Sequence, residues 1–482
     1  MGAITVTVAT PLVSAAVLAL VPDYRLAARL NILFSAITFA ASLVLFRAEP
    51  SSGALFVVDA FNIYLIALTT FVGLTTSVFS AGYIGHEVAI RRLDAAKLRF
   101  YHAMYQAFMF TMLLALSANN LGVMWVAVEG ATLTTVLMVS LYRTAASIEA
   151  AWKYFILCGV GIALALFGTI LMYLAAQPVM GPGMAAMTWT ALMEHVARVN
   201  PAILNLAFVF LLIGYGTKVG LAPLHAWLPD AHAEGPTPIS AVLSGLLLNV
   251  ALYAVLRFKM LLAANGEAIA PGPLMIAMGL ASLLLAGLML YRRRDIKRFF
   301  AYSSIEHMGI ITFAFGMGGP LANFAGLLHM AMHSLTKSAI FYAVGHAVQA
   351  KGTQRIEKIA GLTVSHPLLG WGLLVGVVAI AGLPPFGIFM SEFLLVTSTF
   401  AREPLLALPL AVGILVAFGA LVLRVQQICF GAPSLGTADG EAPAVHGSLV
   451  PLFAHLALVL VAGLWLPGPL VAWFQTVAAL LG

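Results

Sequence analysis

The stretch GYGTKVGLAPLHAWLPDAHAEGPTPIS, from Gly214 to Ser240, lies between two apolar runs and contains a lone lysine, Lys218. Gly220 and Pro223 follow it closely, and together they weaken or break a helix. A charged residue near mid-membrane costs roughly 2.5–3.5 kcal/mol on insertion scales, so it is usually kept for a function. Transporters build ion sites from interrupted helices with polar groups at mid-depth. The stretch therefore predicts an interrupted membrane helix that handles an ion.

Composition places the whole chain in the membrane. Of its 482 residues, 62% are hydrophobic and 9% are charged, and the mean hydropathy is +1.02, values far from those of soluble proteins. The net charge of +6 comes from basic residues scattered over short loops, so it does not indicate nucleic-acid binding. Two cysteines are too few for a cysteine-ligated iron–sulfur cluster. The N-terminus lacks the basic start of a signal peptide and is predicted to be the first span.

Apolar runs of suitable length predict an all-α polytopic protein with about fourteen transmembrane helices. The predicted spans are Ile4–Val21, Leu26–Phe46, Leu55–Ile84, Tyr101–Leu116, Leu121–Tyr142, Tyr154–Ala176, Ala202–Ala231, Ile239–Leu262, Leu274–Tyr291, Phe299–Phe315, Leu321–Val348, Leu368–Phe400, Leu405–Phe430 and Leu449–Leu480. Spans seven and twelve are interrupted.

Two similar short segments in the sequence predict an internal repeat. GLAPL at residues 220–224 resembles GLPPF at 382–386, and the two interrupted spans that contain them lie five helices apart. Because five is odd, the second unit is inverted relative to the first, as in many transporters. Spans four to eight and nine to thirteen form the two predicted repeats. The predicted segments are residues 1–100 (three N-terminal helices), 101–262 and 263–430 (the repeats), and 431–482 (a loop and the final helix).

Basic residues predict the orientation. Loops after odd-numbered spans hold most of the lysines and arginines, so the positive-inside rule places these loops in the cytoplasm and both termini outside. Of the 24 basic residues, this loop assignment leaves only Lys218 and Lys337, which both lie inside predicted spans.

Glu129 lies in the middle of the fifth span. At 1.5 Å per residue, Lys218 would lie about 24 Å along a path of about 45 Å, so the two groups reach a similar depth. We predict an ion pair whose partners exchange protons with a water path. The alternative is a static pair that locks two helices together.

HMAMHSLTKSAIF places His329, His333 and Lys337 on one helix face at intervals of four residues. Imidazoles titrate near neutral pH, so this ladder is suited to passing protons to the lysine. A metal site at the H-x-x-x-H pair is less favoured because no third ligand with metal-site spacing is nearby. Histidines hydrogen-bonded in the core are a further alternative.

Other polar residues accompany these groups. Glu392, the only acid of the twelfth span, is a candidate for the last proton station or for an anion that pairs with a neighbouring subunit. Glu306 and His307 either hydrate a central path or form a helix–helix hydrogen bond. Asp230, His232 and Glu234 lie in a predicted cytoplasmic turn, where they gather protons or cap helices. No nucleotide motif or extramembrane domain is evident, so the chain is not expected to catalyse redox chemistry alone.

The sequence resembles the antiporter-like, proton-translocating membrane subunits of respiratory complex I, multi-subunit Na⁺/H⁺ antiporters and group 4 hydrogenases. The resemblance covers residues 59–430 and rests on five ordered motifs: WVAVEGATLTT, residues 214–240, RRDIKRFFAYSSIEHMG, HMAMHSLTKSAIF and LPPFGIFMSEF. It implies fourteen helices with inverted repeats and a hydrated polar axis. It also implies proton-transfer roles for Glu129, Lys218, Lys337 and Glu392, with His329 and His333 beside Lys337.

One departure concerns the eighth span, where many relatives carry a lysine and this chain has Asn249. Since asparagine cannot carry the proton, the link between the half-channels would need water, His225 or His307. The segments IEHMG and LLLNVALYA are most similar to the F component of hydrogenase-4 or formate hydrogenlyase-like complexes.

The resemblance implies a proton-translocating subunit of such a redox complex in the bacterial cytoplasmic membrane. No cofactor is expected in this chain; partner subunits would hold the nickel–iron site and iron–sulfur clusters. Three alternatives remain: a subunit of a Na⁺/H⁺ antiporter, a non-conducting scaffold that Asn249 would explain, and a carbon-uptake subunit driven by the same path.

Overall fold

The computed structural model describes residues 2–432, 445 and 447–482, and these form an almost entirely helical protein. The only strands in the described ranges are β1 (Ser51–Ser52) and β2 (Val57–Val58), a short antiparallel pair. The helices are α1 (Gly2–Leu18), α2 (Tyr24–Val44), α3 (Ala60–Ala89), α4 (Ala95–Ser117), α5 (Leu121–Val139), α6 (Ala145–Met180), α7 (Trp189–His195), α8 (Pro201–Val219), α9 (Trp227–Glu234), α10 (Thr237–Val242), α11 (Leu248–Ala263), α12 (Gly272–Leu290), α13 (Ile296–Met317), α14 (Gly319–Lys351), α15 (Leu362–Ser365), α16 (Pro367–Ile380), α17 (Gly387–Arg402), α18 (Pro404–Cys429), α19 (Val450–Leu464) and α20 (Gly468–Leu480). The predicted all-α class is confirmed, while most of the predicted loop before the last helix lies outside the described residues.

Helix length and composition indicate how many helices could cross a membrane. Eight helical segments in the described chain qualify, and ten spans result if each of two bent pairs counts as one. One bent pair is Ile356–Ser365 with α16, at 115°, and the other is α19 with α20, at 82°. Helices α4, α13 and α14 are long enough, but polar side chains interrupt their apolar runs. A multi-pass membrane protein is confirmed, and the count of fourteen stays a prediction.

Both predicted interruptions are present and share a backbone geometry. Residues 220–226 separate α8 from α9, and residues 381–386 separate α16 from α17. Gly220 (φ +83°) and Gly382 (φ +70°) both adopt the left-handed conformation that glycine favours. In each break the residue after the glycine donates its N–H to the carbonyl five residues earlier, which ends the preceding helix. The two similar segments in the sequence therefore correspond to two similar helix ends.

Arg257 and Lys259, which the orientation count assigned to a loop, lie in a helical segment long and apolar enough to cross a membrane. Arg257 and Lys259 belong to α11 and are only 2% and 5% exposed. The Arg257 guanidinium lies 2.6 Å from Asp59 Oδ2, donates to Tyr253 Oη at 2.8 Å, and lies over the Trp189 ring at 4.4 Å. The prediction that only Lys218 and Lys337 enter spans is therefore wrong. A hydrogen-bonded, aromatic surrounding allows a buried guanidinium at this position.

We expect Asp59→Ala to destabilise the protein by about 3–5 kcal/mol, since it leaves the buried Arg257 charge without its partner. Asp59 also caps α3 by accepting the N–H of Asn62 at 2.9 Å. Asp94→Ala is the matched control, because Asp94 caps α4 in the same way, is exposed, and forms no ion pair in the described residues. Loss of a cap alone costs about 1 kcal/mol. Thermal unfolding in detergent measures both, and equal shifts would show that the Arg257 pair does not stabilise the fold.

Candidate functional site

Lys218 lies in an aromatic enclosure at the first helix break. It occupies the last turn of α8 and is 1% exposed. Its ammonium donates to the Tyr154 hydroxyl at 2.9 Å and lies 4.5 Å from the centroid of that ring and 5.3 Å from that of Trp227. The two rings stack at 4.4 Å, and Trp227 donates its indole N–H to the carbonyl of Thr217. Cation–π contacts and one hydrogen bond thus stabilise the charge away from water.

Glu129 does not contact Lys218 directly. Among the described residues no ion pair reaches the Lys218 ammonium, and the buried Oε2 of Glu129 has no hydrogen-bond partner. Helix α5, which carries Glu129, instead reaches the lysine through Thr135, whose hydroxyl is 2.6 Å from that of Tyr154. The predicted direct ion pair between Glu129 and Lys218 is therefore absent from the described residues. Sequence reasoning missed Tyr154 because it starts an apolar run and carries no charge.

Lys337 lies in a second cluster between α13 and α14. Its ammonium is fully buried and donates to the Phe300 carbonyl at 3.0 Å. Glu306, on the same helix as Phe300, is also buried, and its Oε2 lies 3.4 Å from His307 Nε2. One acid, one histidine and one lysine thus share a region from which water is largely excluded.

A chain of hydrogen bonds crosses three helices from His307. His307 Nδ1 lies 2.9 Å from His329 Nε2, and His329 Nδ1 lies 3.0 Å from the hydroxyl of Ser391 on α17. Ser391 has one hydroxyl proton, which it donates to the Ile388 carbonyl at 2.8 Å. With this donor assignment the hydroxyl accepts from His329 Nδ1 and His329 Nε2 accepts from His307 Nδ1, and the opposite tautomers reverse both bonds. His307 Nε2 and Glu306 Oε2 lie 3.4 Å apart, but neither atom has a hydrogen-bond partner among the described residues.

The predicted ladder on α14 is only partly a connected path. His329, His333 and Lys337 do lie along one continuous helix. The His333 ring is 5.6 Å from that of His307, but its two ring nitrogens have no hydrogen-bond partner among the described residues. The contacts run across helices through His307, which single-helix spacing does not indicate.

Glu392 ends this cluster at the second helix break. It follows Ser391 on α17 and is 7% exposed. A Cβ at position 382 would overlap the Glu392 carboxylate, so the absence of a side chain at Gly382 admits the acid against the backbone of the break. Each interruption thus has ionisable side chains beside it, Lys218 at one and Glu392 at the other.

The sequence between residues 118 and 418 matches the family described as NADH:quinone oxidoreductase/Mrp antiporter, transmembrane. The match covers well over half of the chain. The chain belongs to this family. It is an antiporter-like membrane subunit.

Individual relatives agree with the family assignment. The chain is 60% identical over 471 residues to the "Hydrogenase-4 component F homolog" of Methylacidiphilum infernorum, and the match covers 98% of each protein. The fold is similar to a chain of the archaeal membrane-bound sulfane sulfur reductase, with a TM-score of 0.87, 21% identity, and coverage of 99% and 97% of the two chains. A chain of the Mrp complex from Dietzia sp. gives a TM-score of 0.84 at 20% identity, with coverage of 100% and 98%.

Asn249 in this antiporter-like subunit lies beside the second cluster. Its amide nitrogen donates to the Met330 carbonyl at 3.1 Å and to the Ser334 hydroxyl at 2.8 Å. These partners flank His333 in sequence, so Asn249 ties α11 to the histidine-bearing part of α14. Its Oδ1 is buried without a hydrogen-bond partner in the described chain and is available to accept a bond from water.

The acids after the first break form a clamp. Asp230, His232 and Glu234 belong to helix α9 and not to a turn as predicted. Arg298 of α13 lies 3.1 Å from Asp230 and 3.6 Å from Glu234, and Lys153 of α6 lies 3.3 Å from Asp230. These half-exposed ion pairs join the short helix α9 to α6 and α13. They therefore favour a structural interpretation, in which the acids hold the break in place.

The two histidines of the same stretch are separate from this clamp. His225 lies between α8 and α9, with its ring 6.3 Å from that of Tyr302. His232 is fully buried and stacks on Phe341 at 4.8 Å. Nδ1 of His225 and both ring nitrogens of His232 have no hydrogen-bond partner in the described residues. Both histidines face the interior, and their roles in proton transfer stay predictions.

Proposed function

We propose that this antiporter-like subunit conducts protons along its buried polar axis as part of a hydrogenase-4-like redox complex. The observation that carries the proposal is the pairing of two similar helix breaks with two clusters of buried ionisable groups. Ionisable residues inside a membrane protein commonly mark ion paths and proton relays. The name of the Methylacidiphilum relative supports the choice of complex.

The proposed architecture has fourteen spans in the bacterial cytoplasmic membrane, with both termini outside. Residues 101–262 and 263–430 form inverted five-helix repeats, preceded by a three-helix segment and followed by the final helix. The matched breaks support this division, because inverted repeats place discontinuous helices at corresponding positions.

The first half of the path would use Glu129 and Lys218. The charged lysine donates to the Tyr154 hydroxyl, and the neutral amine would accept from the same hydroxyl, so Tyr154 holds the side chain in both states. A charge that approaches Glu129 alters the stability of the lysine charge without direct contact, because Coulomb forces are weakly screened in a buried region.

The second half would use Glu306, His307 and His329. The His307 Nδ1 proton moves to His329 Nε2, which reverses the hydrogen bond between the two rings, and a proton from the neighbouring Glu306 replaces it at His307 Nε2. Water would have to carry the path from Ser391 to Glu392, because no hydrogen bond reaches the Glu392 carboxylate from the described residues. Lys337 stabilises a negative Glu306 and thereby controls whether this proton is held or released. Water beside Asn249 and His333 would join the two halves.

Partner subunits would supply the redox chemistry, including the nickel–iron site and the iron–sulfur clusters. To test this, the tagged chain is purified with its complex and the partners are identified by mass spectrometry. The complex is then placed in proteoliposomes. Nickel–iron subunits and proton uptake that stops with a hydrogenase inhibitor are expected. Sodium-dependent proton uptake that is insensitive to the inhibitor would indicate an antiporter. Assembly of the complex without proton uptake would indicate a scaffold.

A further inference from the structure

We propose that His307, His329 and Glu392 form a binding site for a divalent transition-metal cation of the zinc type, and that the bound cation blocks the proton path. The blocking part rests on the proposed function, whereas the binding part does not. The three residues come from α13, α14 and α17, so their spacing in the sequence gives no metal motif.

The donor atoms already converge. One ligand atom from each of the three side chains lies within 4.8 Å of the other two. His307 Nδ1 and His329 Nε2 are 2.9 Å apart, whereas tetrahedral zinc with bonds of about 2.0–2.1 Å separates two nitrogens by about 3.3 Å. The rings therefore need to move apart by only a few tenths of an ångström to admit the ion.

The polar groups around the two histidines fit a metal site. A ligating histidine usually donates its other ring N–H to an acceptor, which fixes the ring and its tautomer. Glu306 Oε2 lies 3.4 Å from His307 Nε2, and Ser391 Oγ lies 3.0 Å from His329 Nδ1. If the ion replaces the proton between the two rings, His329 Nδ1–H keeps Ser391 as its acceptor, whereas His307 Nε2 has no hydrogen-bond partner among the described residues and Glu306 would have to rotate to accept from it.

The charge and access of the site also favour a dication. The Glu392 carboxylate is only 7% exposed and has no hydrogen bond to the described residues. Glu306 supplies a second buried carboxyl group nearby. Two imidazoles and one carboxylate suit zinc-like ions, whereas Mg²⁺ and Ca²⁺ prefer oxygen ligands. Glu392 packs on Gly382, and the adjoining Pro384 and Pro385 of the same break are exposed.

Zinc binding to the purified complex, freed of zinc but with its other metals retained, tests the proposal, by equilibrium dialysis with Zn²⁺ as the probe. His329→Gln and Glu392→Gln are each expected to weaken one site by more than about tenfold, because loss of an outer partner alone costs about 10–100-fold. His102→Gln is the matched control, since His102 is equally buried but lies on α4 outside the cluster. Equal isotherms for the wild type and both variants would overturn the proposal.

A second measurement requires no variant. The X-ray absorption spectrum of the zinc-loaded wild type is expected to show two imidazole nitrogens at about 2.0–2.1 Å and an oxygen ligand. A spectrum with no imidazole, or with one, would contradict the site even if the variants fail to fold.

The blocking part has its own readout. Zn²⁺ is expected to inhibit proton pumping at the concentration that fills the site, and a chelator should restore pumping. If the site binds zinc and pumping is unaffected, blocking is wrong. If Lys337→Ala pumps normally yet binds zinc, the proposed function fails while the metal site stands.

Discussion

Replacing Lys337 with alanine is expected to lower redox-coupled proton pumping by more than about tenfold, equivalent to a barrier increase of about 1.4 kcal/mol or more. The reason is local: the Lys337 ammonium is the buried cation beside Glu306, and its loss leaves the acid protonated. A Glu306 that stays protonated cannot release a proton to the neighbouring His307, which stops the relay through His329. The measurement is the initial rate of proton uptake into proteoliposomes divided by the rate of electron transfer.

Lys259→Ala is the control for the loss of a buried cation. Lys259 is 5% exposed and donates to the carbonyl of Leu481 at 2.9 Å, outside both ionisable clusters. It should leave the ratio of protons to electrons unchanged. If both alanine variants reduce the ratio equally, the effect reflects damage to the fold, and a role for Lys337 in the relay is contradicted.

Replacing Lys218 with alanine is expected to produce a loss of the same size. The aromatic enclosure of Tyr154 and Trp227 binds one cation, and alanine provides neither the charge nor the transferable proton. Tyr154→Phe keeps the ring and the cation–π contact but removes the hydroxyl that accepts from Lys218. It should lower pumping less than Lys218→Ala does, because only the orientation of the amine is impaired.

The comparison with Tyr154→Phe separates two explanations. If Lys218 only locks α8 against α6, thermal stability falls in both variants and the ratio of protons to electrons in the assembled complex stays normal. If Lys218 carries protons, the ratio falls even in molecules that remain folded. A normal ratio with Lys218→Ala would contradict the proposed path.

The class and the breaks could be predicted from sequence because they depend on local chemistry. A long apolar run specifies a helix, and the glycine–proline pairs at residues 220–223 and 382–385 specify where it ends. The burial of Lys218 and Lys337 could also be predicted, since a lone charge in an apolar run has few other places to lie. Arg257 was placed wrongly because its partner, Asp59, lies 198 residues away.

The connections within the site could not be predicted, because they join distant segments. His307 binds His329 and not a neighbour on its own helix, and Ser391 reaches the same histidine from α17. Tyr154 resembles an ordinary apolar-face tyrosine until its hydroxyl is seen beside Lys218. Spacing in the sequence predicts which residues share a face of one helix. It does not predict contacts between helices, and this site is formed by residues of several helices.

Proton conduction through both clusters is tested by the ratio of protons pumped to electrons transferred in Lys218→Ala, Lys337→Ala and the double variant. If both lysines act one after the other in a single path, the losses in this ratio are not additive. The double variant should then lose no more of the ratio than either single variant. Losses that add would indicate two separate paths. An unchanged ratio in all three would contradict proton conduction by this chain.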